Sequence, residues 1–151
     1  MPLWAWRIGS GCVQSVPIMT QNTVDLPLFC PNSLILICHG SRRESWRAPF
    51  ESFLNRLSTM ADPDKIYLCY MEIAEPMLAD VAKTMVERGQ TNGTVFPLFM
   101  ASGGHVDHDI TAQISDVVAL YPSITLTLAG AIGEHPEVLA AMAKIAVAEV
   151  R

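Results

Sequence analysis

No apolar run in the sequence approaches the ~20 residues that a bilayer-spanning helix needs, which argues against a membrane protein. Positive charge is scarce: ten lysines and arginines face fifteen aspartates and glutamates, for a formal net charge of −5. Non-specific nucleic-acid binding runs on basic surface, so no nucleic-acid partner is expected. The four cysteines, at positions 12, 30, 38 and 69, form no C-x-x-C pair. Cys38 and Cys69 lie in apolar, strand-like runs, where cysteine acts as a small buried hydrophobe in preference to a disulfide or a metal cluster. Reduced thiols without an evident export signal predict a cytoplasmic protein. A G-x-S-x-G elbow is missing, and no nucleophile stands with a paired base, which sets aside hydrolases of the α/β type.

Apolar residues, by contrast, fill half of the 151 positions, enough for one globular domain with its own core. Residues 1–32 stand apart from the rest. Trp4, Trp6, Pro17, Pro27 and Pro31 punctuate a segment without sustained periodicity. It reads as an irregular amino-terminal extension, with the folded domain at 33–151. It lacks the apolar h-region and small-residue cleavage site of a signal peptide. Met19-Thr20-Gln21 would serve as an ordinary start, which makes the first 18 residues an upstream extension or tail.

From Leu34 the pattern alternates with a period of about 30 residues, the length of a βα unit. Leu34-Ile35-Leu36-Ile37-Cys38 is a short continuous apolar run, the signature of a strand buried on both faces. A helix is expected from Glu44 to Met60, with Trp46, Phe50, Phe53, Leu54 and Leu57 inward. Ile66–Met71 reads as a second strand, and Glu75-Pro76 as the opening of a second helix, proline suiting the first helical position. Thr94–Met100 reads as a third strand, in which Pro97 marks a bulge or the end of pairing. After a flexible Ser102-Gly103-Gly104 loop, a third helix is expected from Asp107. Ile124–Leu128 alternates apolar residues with threonine, as an edge strand does, and Pro136 opens a last helix whose inward stripe is Val138, Leu139, Met142, Ile145 and Ala146. Four strands alternating with four helices predict an α/β fold: an open four-stranded parallel sheet with helices on both faces, in the flavodoxin-like order 2-1-3-4.

On that frame His39 ends the first strand, Glu72 follows the second and His105 lies just past the third. All three fall at the carboxyl edge of one sheet, where open α/β folds bind ligands. Two imidazoles and a carboxylate suit a borderline divalent metal such as iron, cobalt, nickel or zinc. The competing reading is that each merely caps an element, and coincidence at a switch point weighs against it. Arg42, Arg43 and Arg47 cluster where a helix begins, a position opposed by the helix dipole. They read as a solvated cluster or as a clamp for carboxylates or phosphates. Ser41 lies in the same turn, and Ser102, Gly103 and Gly104 can turn backbone amides toward the same anion. His108 and His135 sit near helix starts, where capping or plain exposure is expected; Asp109 reads as an acid favoured by the helix dipole.

The ordered set His39-Gly40-Ser41-Arg42, Trp46, Pro49-Phe50, Met71-Glu72-Ile73-Ala74-Glu75-Pro76, Val95-Phe96-Pro97-Leu98-Phe99 and Gly103-Gly104-His105-Val106 with Asp109-Ile110 resembles the CbiX/SirB group of small class II chelatases. The resemblance spans about Leu34 to Ala148. It implies insertion of a divalent metal into sirohydrochlorin without ATP or another nucleotide, toward cobalamin with cobalt or toward sirohaem with iron, nickel being a further candidate. It carries the metal site onto His39, Glu72 and His105, and it places a tetrapyrrole rich in carboxylates opposite Arg42 and Arg43. Two positions depart from the family pattern: His108, where a basic or neutral residue is common, and Thr111, where proline usually follows the Asp-Ile pair. Larger members of the family contain two such lobes, which implies a homodimer for a chain with one. A non-enzymatic carrier of metal or tetrapyrrole on the same site is the rival reading.

Because no periodicity precedes Leu34, deleting residues 1–18 is expected to leave the melting temperature almost unchanged. A thermal melt of the shortened chain checks this, and a large drop would place Trp4 and Trp6 on the fold.

Overall fold

A computed structural model describes residues 32–150, apart from the side chain of His105. The expected extension, residues 1–31, therefore lies outside the described residues. The apolar run becomes the central strand β1 (Ser33–Cys38), and Ile35 to Cys38 are completely buried. It pairs in parallel with β2 (Ile66–Tyr70) on one side and β3 (Asn92–Pro97) on the other, and β3 pairs with β4 (Thr125–Leu128). The order is β2-β1-β3-β4, as the sequence predicts.

Side chains alternate across the pleat, so Ile35 and Ile37 face one way and Leu36 and Cys38 the other. On the first face α2 (Leu78–Glu87) and α3 (Gly104–Leu120) pack Leu78, Val81, Met85, Ile110 and Val117 onto Ile35, Ile37 and Val95. On the second face α1 (Glu44–Leu57) lays Phe50, Phe53, Leu54 and Leu57 over Leu36, Cys38, Leu68 and Tyr70. The last helix, α4 (Pro136–Ala148), has no buried residue. Of its expected inward stripe, Val138 is half-buried and Leu139, Met142, Ile145 and Ala146 are exposed among the described residues.

Several boundaries differ from the sequence expectation. The first helix stops at Leu57 and residues 58–60 form turns. Pairing of β3 starts two residues early and ends at Pro97, consistent with the ladder donor that proline lacks. Pro76 does not open α2. Tyr70 N–H donates to the Pro76 carbonyl at 2.9 Å, holding that residue extended beside β2, and the helix starts at Leu78 with the Asp80 carboxylate accepting from Met77 N–H at 2.8 Å. The third helix begins at Gly104, three residues before Asp107. At the amino edge of the sheet the Gln90 amide ties three elements: Ser33 Oγ and Tyr67 Oη each donate to its Oε1 at 2.8 Å, and its Nε2 donates to the Asp64 carbonyl at 2.9 Å.

Both core cysteines are buried free thiols. Burial pushes Cys38 from 9.0 up to about 12 and raises Cys69 as well; burial also raises the Tyr70 phenol. A folded-state value above the unfolded one means stability is fully present below pH 9 and is lost as pH climbs from about 9 toward 12. Thermal melts between pH 7 and 11 should show that decline, and Cys69→Ala should make it shallower.

Candidate active site

Backbone pairing continues one residue beyond the carboxyl ends of β2 and β3, against the end of β1. Met71 N–H donates to the Cys38 carbonyl at 2.9 Å, and Leu98 N–H donates to the Ile37 carbonyl at 2.8 Å. These bonds bring the next residues, His39, Glu72 and Phe99, to one edge. His39 is exposed, and its ring meets the buried Phe99 ring edge-on, with centroids 4.6 Å apart and planes at 64°. That arrangement sets the positive edge of one ring against the negative face of the other.

Gly40 lets the two loops pass. A Cβ there would overlap the Glu72 carbonyl oxygen and come within 3.0 Å of Ala74 N. The Glu72 loop is itself tight: Ala74 N–H donates to the Glu72 carbonyl at 2.7 Å across Ile73, whose φ is +66°. A three-residue turn with a positive-φ centre is rare, and a β-branched residue at that centre is strained. Strain of this kind persists only where the surroundings fix it, here at the turn that carries the exposed Glu72.

The third component is the start of α3. Gly103 is its N-cap, and Asp107 N–H donates to the Gly103 carbonyl at 3.1 Å. The amides of Gly104, His105 and Val106 therefore precede the helical ladder. His105 is the second residue of the helix; its side chain lies outside the described residues. Among the described residues no group of three or more histidine, cysteine, aspartate or glutamate side chains forms a metal cage. What the structure does bring together is His39 and Glu72, in one cavity.

Two cavities share His39. One, about 360 Å³, is apolar and aromatic, lined by Trp46, Phe50, Leu98, Phe99, Met100 and Val106 beside the imidazole. The other, about 330 Å³, is lined by Met71, Glu72, Val106, Asp109 and Gln113 beside the same imidazole. Gln113 Nε2 donates to the Met71 carbonyl at 3.2 Å and ties α3 to the end of β2. Asp109 belongs to this second cavity, a placement missed in the sequence because the helix was expected to begin at Asp107. With the start at Gly104, Val106, Asp109 and Gln113 follow one another at three and four residues along one helix face.

The arginines separate. Arg42 and Arg43 are exposed, and Arg43 is the N-cap of α1, its N–H donating to Ser41 Oγ at 3.1 Å. Arg47 is half-buried with Nε unpartnered among the described residues, and its charge opposes the rise of the Tyr70 phenol. Only Arg42 and Arg43 remain as an open cationic pair. Ser102 is engaged differently from expectation: its N–H and Oγ donate to the Glu134 carboxylate at 2.7 and 3.2 Å. Gly103 and Gly104 stay exposed. His108 is exposed, lines neither cavity, and holds Nδ1 3.7 Å from Asp109 Oδ1. His135 caps α4, its Nδ1 accepting from Glu137 N–H at 3.3 Å.

A family model described as CbiX matches residues 33–148. Among curated relatives, the sirohydrochlorin ferrochelatase of Priestia megaterium is 27% identical over 93 residues, 62% of this chain and 35% of that protein. The sirohydrochlorin cobaltochelatase of Methanopyrus kandleri is 31% identical over 82 residues, 54% of this chain and 57% of that protein. Among solved structures, a putative cobalamin biosynthesis CbiX protein from Marinobacter aquaeolei is 31% identical with a TM-score of 0.72, covering 80% of this chain and 98% of that one. SirB from Bacillus subtilis, solved with Fe3+, is 26% identical with a TM-score of 0.67, covering 75% of this chain and 45% of that one. The chain thus spans from about a third to somewhat over half the length of such curated relatives, 35% and 57% in the two cases given.

The close approach at Gly40 makes a direct prediction. Gly40→Ala must displace the Glu72 turn, and a cost of ~1–3 kcal/mol, the scale of overpacking, is expected in urea unfolding. An unchanged midpoint would show that the two loops do not press on one another.

Proposed function

The chain belongs to the CbiX family, and from that premise we propose that it is an ATP-independent chelatase that inserts a divalent metal into sirohydrochlorin. Cobalt is the metal proposed, for cobalamin formation, with iron or nickel as the alternatives and sirohaem formation as the other pathway. The working domain is residues 33–151, it acts in the cytoplasm as a homodimer whose two lobes enclose the flat macrocycle, and no nucleotide takes part. The observation that supports this reading above all is the sharing of His39 by two unlike cavities, one aromatic and one acidic.

The chemistry follows from those surroundings. The metal is a substrate, held by His39, Glu72 and His105 as an open set of two imidazoles and a carboxylate. The macrocycle rests on the apolar side, against Trp46, Phe99 and Met100. As the dication enters the ring, two pyrrole N–H protons leave, so charge balances without a further reactant. The Glu72 carboxylate, exposed on its strained turn, or a histidine of the set accepts the two protons one after the other and passes each to water. Arg42 and Arg43 offset the carboxylates of the macrocycle, with Ser41 and the amides of Gly103 and Gly104 beside them; Ser102 contributes through Glu134 alone.

Initial rates of insertion, followed by visible absorption with sirohydrochlorin and cobalt, nickel or iron, test the assignment. His39→Ala and His105→Ala should each lose at least ~10²-fold, the scale of a lost catalytic group, while His108→Ala should cost far less. Thermal melts of all three should stay close to the parent protein. Binding of metal and tetrapyrrole without turnover would identify a carrier in place of an enzyme, and an active His39→Ala would overturn the site.

A further inference from the structure

We propose that Gln113 is a positioning residue: its amide clamps α3, the helix that bears His105, to the peptide leading into Glu72, and so sets the spacing of two metal-holding elements. This rests on the reading of the site given above and adds to it a residue that acts through Glu72 and His105.

The clamp is one hydrogen bond, from Gln113 Nε2 to the Met71 carbonyl at 3.2 Å. Among the described residues no other side-chain hydrogen bond of α3 leaves the helix; the hydroxyls of Thr111 and Ser115 donate to carbonyls one turn back, those of Asp107 and Thr111. The rest of what holds α3 to the sheet is apolar. Ile110 and Val117 are buried in the core, with Val106 and Ile114 packed beside them. Apolar burial is non-directional and tolerates a helix that slides or turns slightly. A hydrogen bond has a preferred length and angle, so this one fixes the register.

Its acceptor is the carbonyl of the peptide that joins Met71 to Glu72. Met71 N–H already donates to the Cys38 carbonyl at 2.9 Å, and the Glu72 carbonyl accepts from Ala74 N–H at 2.7 Å. The backbone entering Glu72 is thus tied to β1 on one side and to α3 on the other. Gln113 comes eight residues after His105, ~12 Å along the axis at 1.5 Å per residue. A helix moves as a rod, so a slip at the clamp arrives undiminished at position 105. Misplacement by ~1 Å is enough to cost ~10²-fold in rate.

The surroundings make this bond a matter of placement and not of stability. Gln113 is half-buried and stands between two cavities, the acidic one that it shares with His39 and Glu72, and another of about 220 Å³ lined in part by Leu78, Asp116 and Val117. A side chain between two open spaces can be changed without crowding, and water can reach the freed carbonyl, so little stability is lost. Geometry separates one divalent first-row ion from another more than ligand type does. A fixed gap between Glu72 and position 105 therefore also sets which metal the site prefers.

Cobalt(II) added alone to the full chain reports its coordination through its visible d–d bands. Gln113→Met keeps the length of the side chain and removes the donor; Gln113→Asn keeps the amide and is one methylene too short. Both should bind cobalt ~10-fold more weakly with shifted bands, and kcat should fall by ~10–100-fold, the scale for residues that orient metal ligands. KM for sirohydrochlorin should hold, because the macrocycle lies on the other side of His39, and the ratio of cobalt to nickel insertion rates should shift. Asp116→Ala, on the same helix but not bonded to Met71, should match the parent protein throughout, and all melting temperatures should stay close to the parent's. Shifted bands in variants of a chain that binds cobalt but inserts none would uphold the clamp while refuting the chelatase. Unchanged bands and kcat in Gln113→Met would overturn the clamp and leave the chelatase standing. An equal loss in Asp116→Ala, or a kcat that falls only in step with the melting temperature, would also overturn it.

Discussion

Two carbonyl oxygens at the end of β1 organise the molecule's working edge. Those of Ile37 and Cys38 accept amides from Leu98 and Met71, residues already past the ends of their own strands. Without this one-residue continuation the chains would diverge at the sheet boundary, and His39, Glu72 and Phe99 would leave in separate directions. A parallel ladder costs little to extend where both flanks of the strand are already paired. The site is therefore built from backbone geometry before any side chain is chosen. Gly40 then lets the loops pass in contact, and the turn at Ile73 fixes where Glu72 emerges.

Edge placement also divides the surroundings of His39 by chemistry. On one side lie aromatic and sulfur-bearing side chains; on the other lie Glu72 and Asp109. Carboxylates attract a hydrated cation, whereas a flat conjugated ring would gain by covering Trp46 and Met100. The imidazole between them belongs to both environments.

β1 and β2 were legible because burial on both faces leaves an unbroken apolar run, β4 was legible from its alternation with threonine, and the order came by analogy with flavodoxin-like sheets. His39 and Glu72 could be placed for the same reason, each being the first polar residue after such a run. Helix starts were less legible. Gly103-Gly104 reads as a loop, yet glycine is tolerated at an N-cap, and the helix begins there; that three-residue error hid Asp109 from the site. Pro76 fits a first helical position equally well in sequence, but a backbone bond from Tyr70 holds it extended. The stripe of α4 was read as facing a core, yet no residue of that helix is buried among the described residues, because periodicity marks an apolar face without saying what covers it.

Glu134 gives the edge a further property. The positive end of a helix collects stray anions, and the start of α3 would be such a place beside a cation site. Here the protein places its own carboxylate on Ser102, immediately before the N-cap. The connector to α4 is thus tied to the loop that opens α3, and Glu134 stands as a fixed negative charge against the residue that precedes that helix's N-cap.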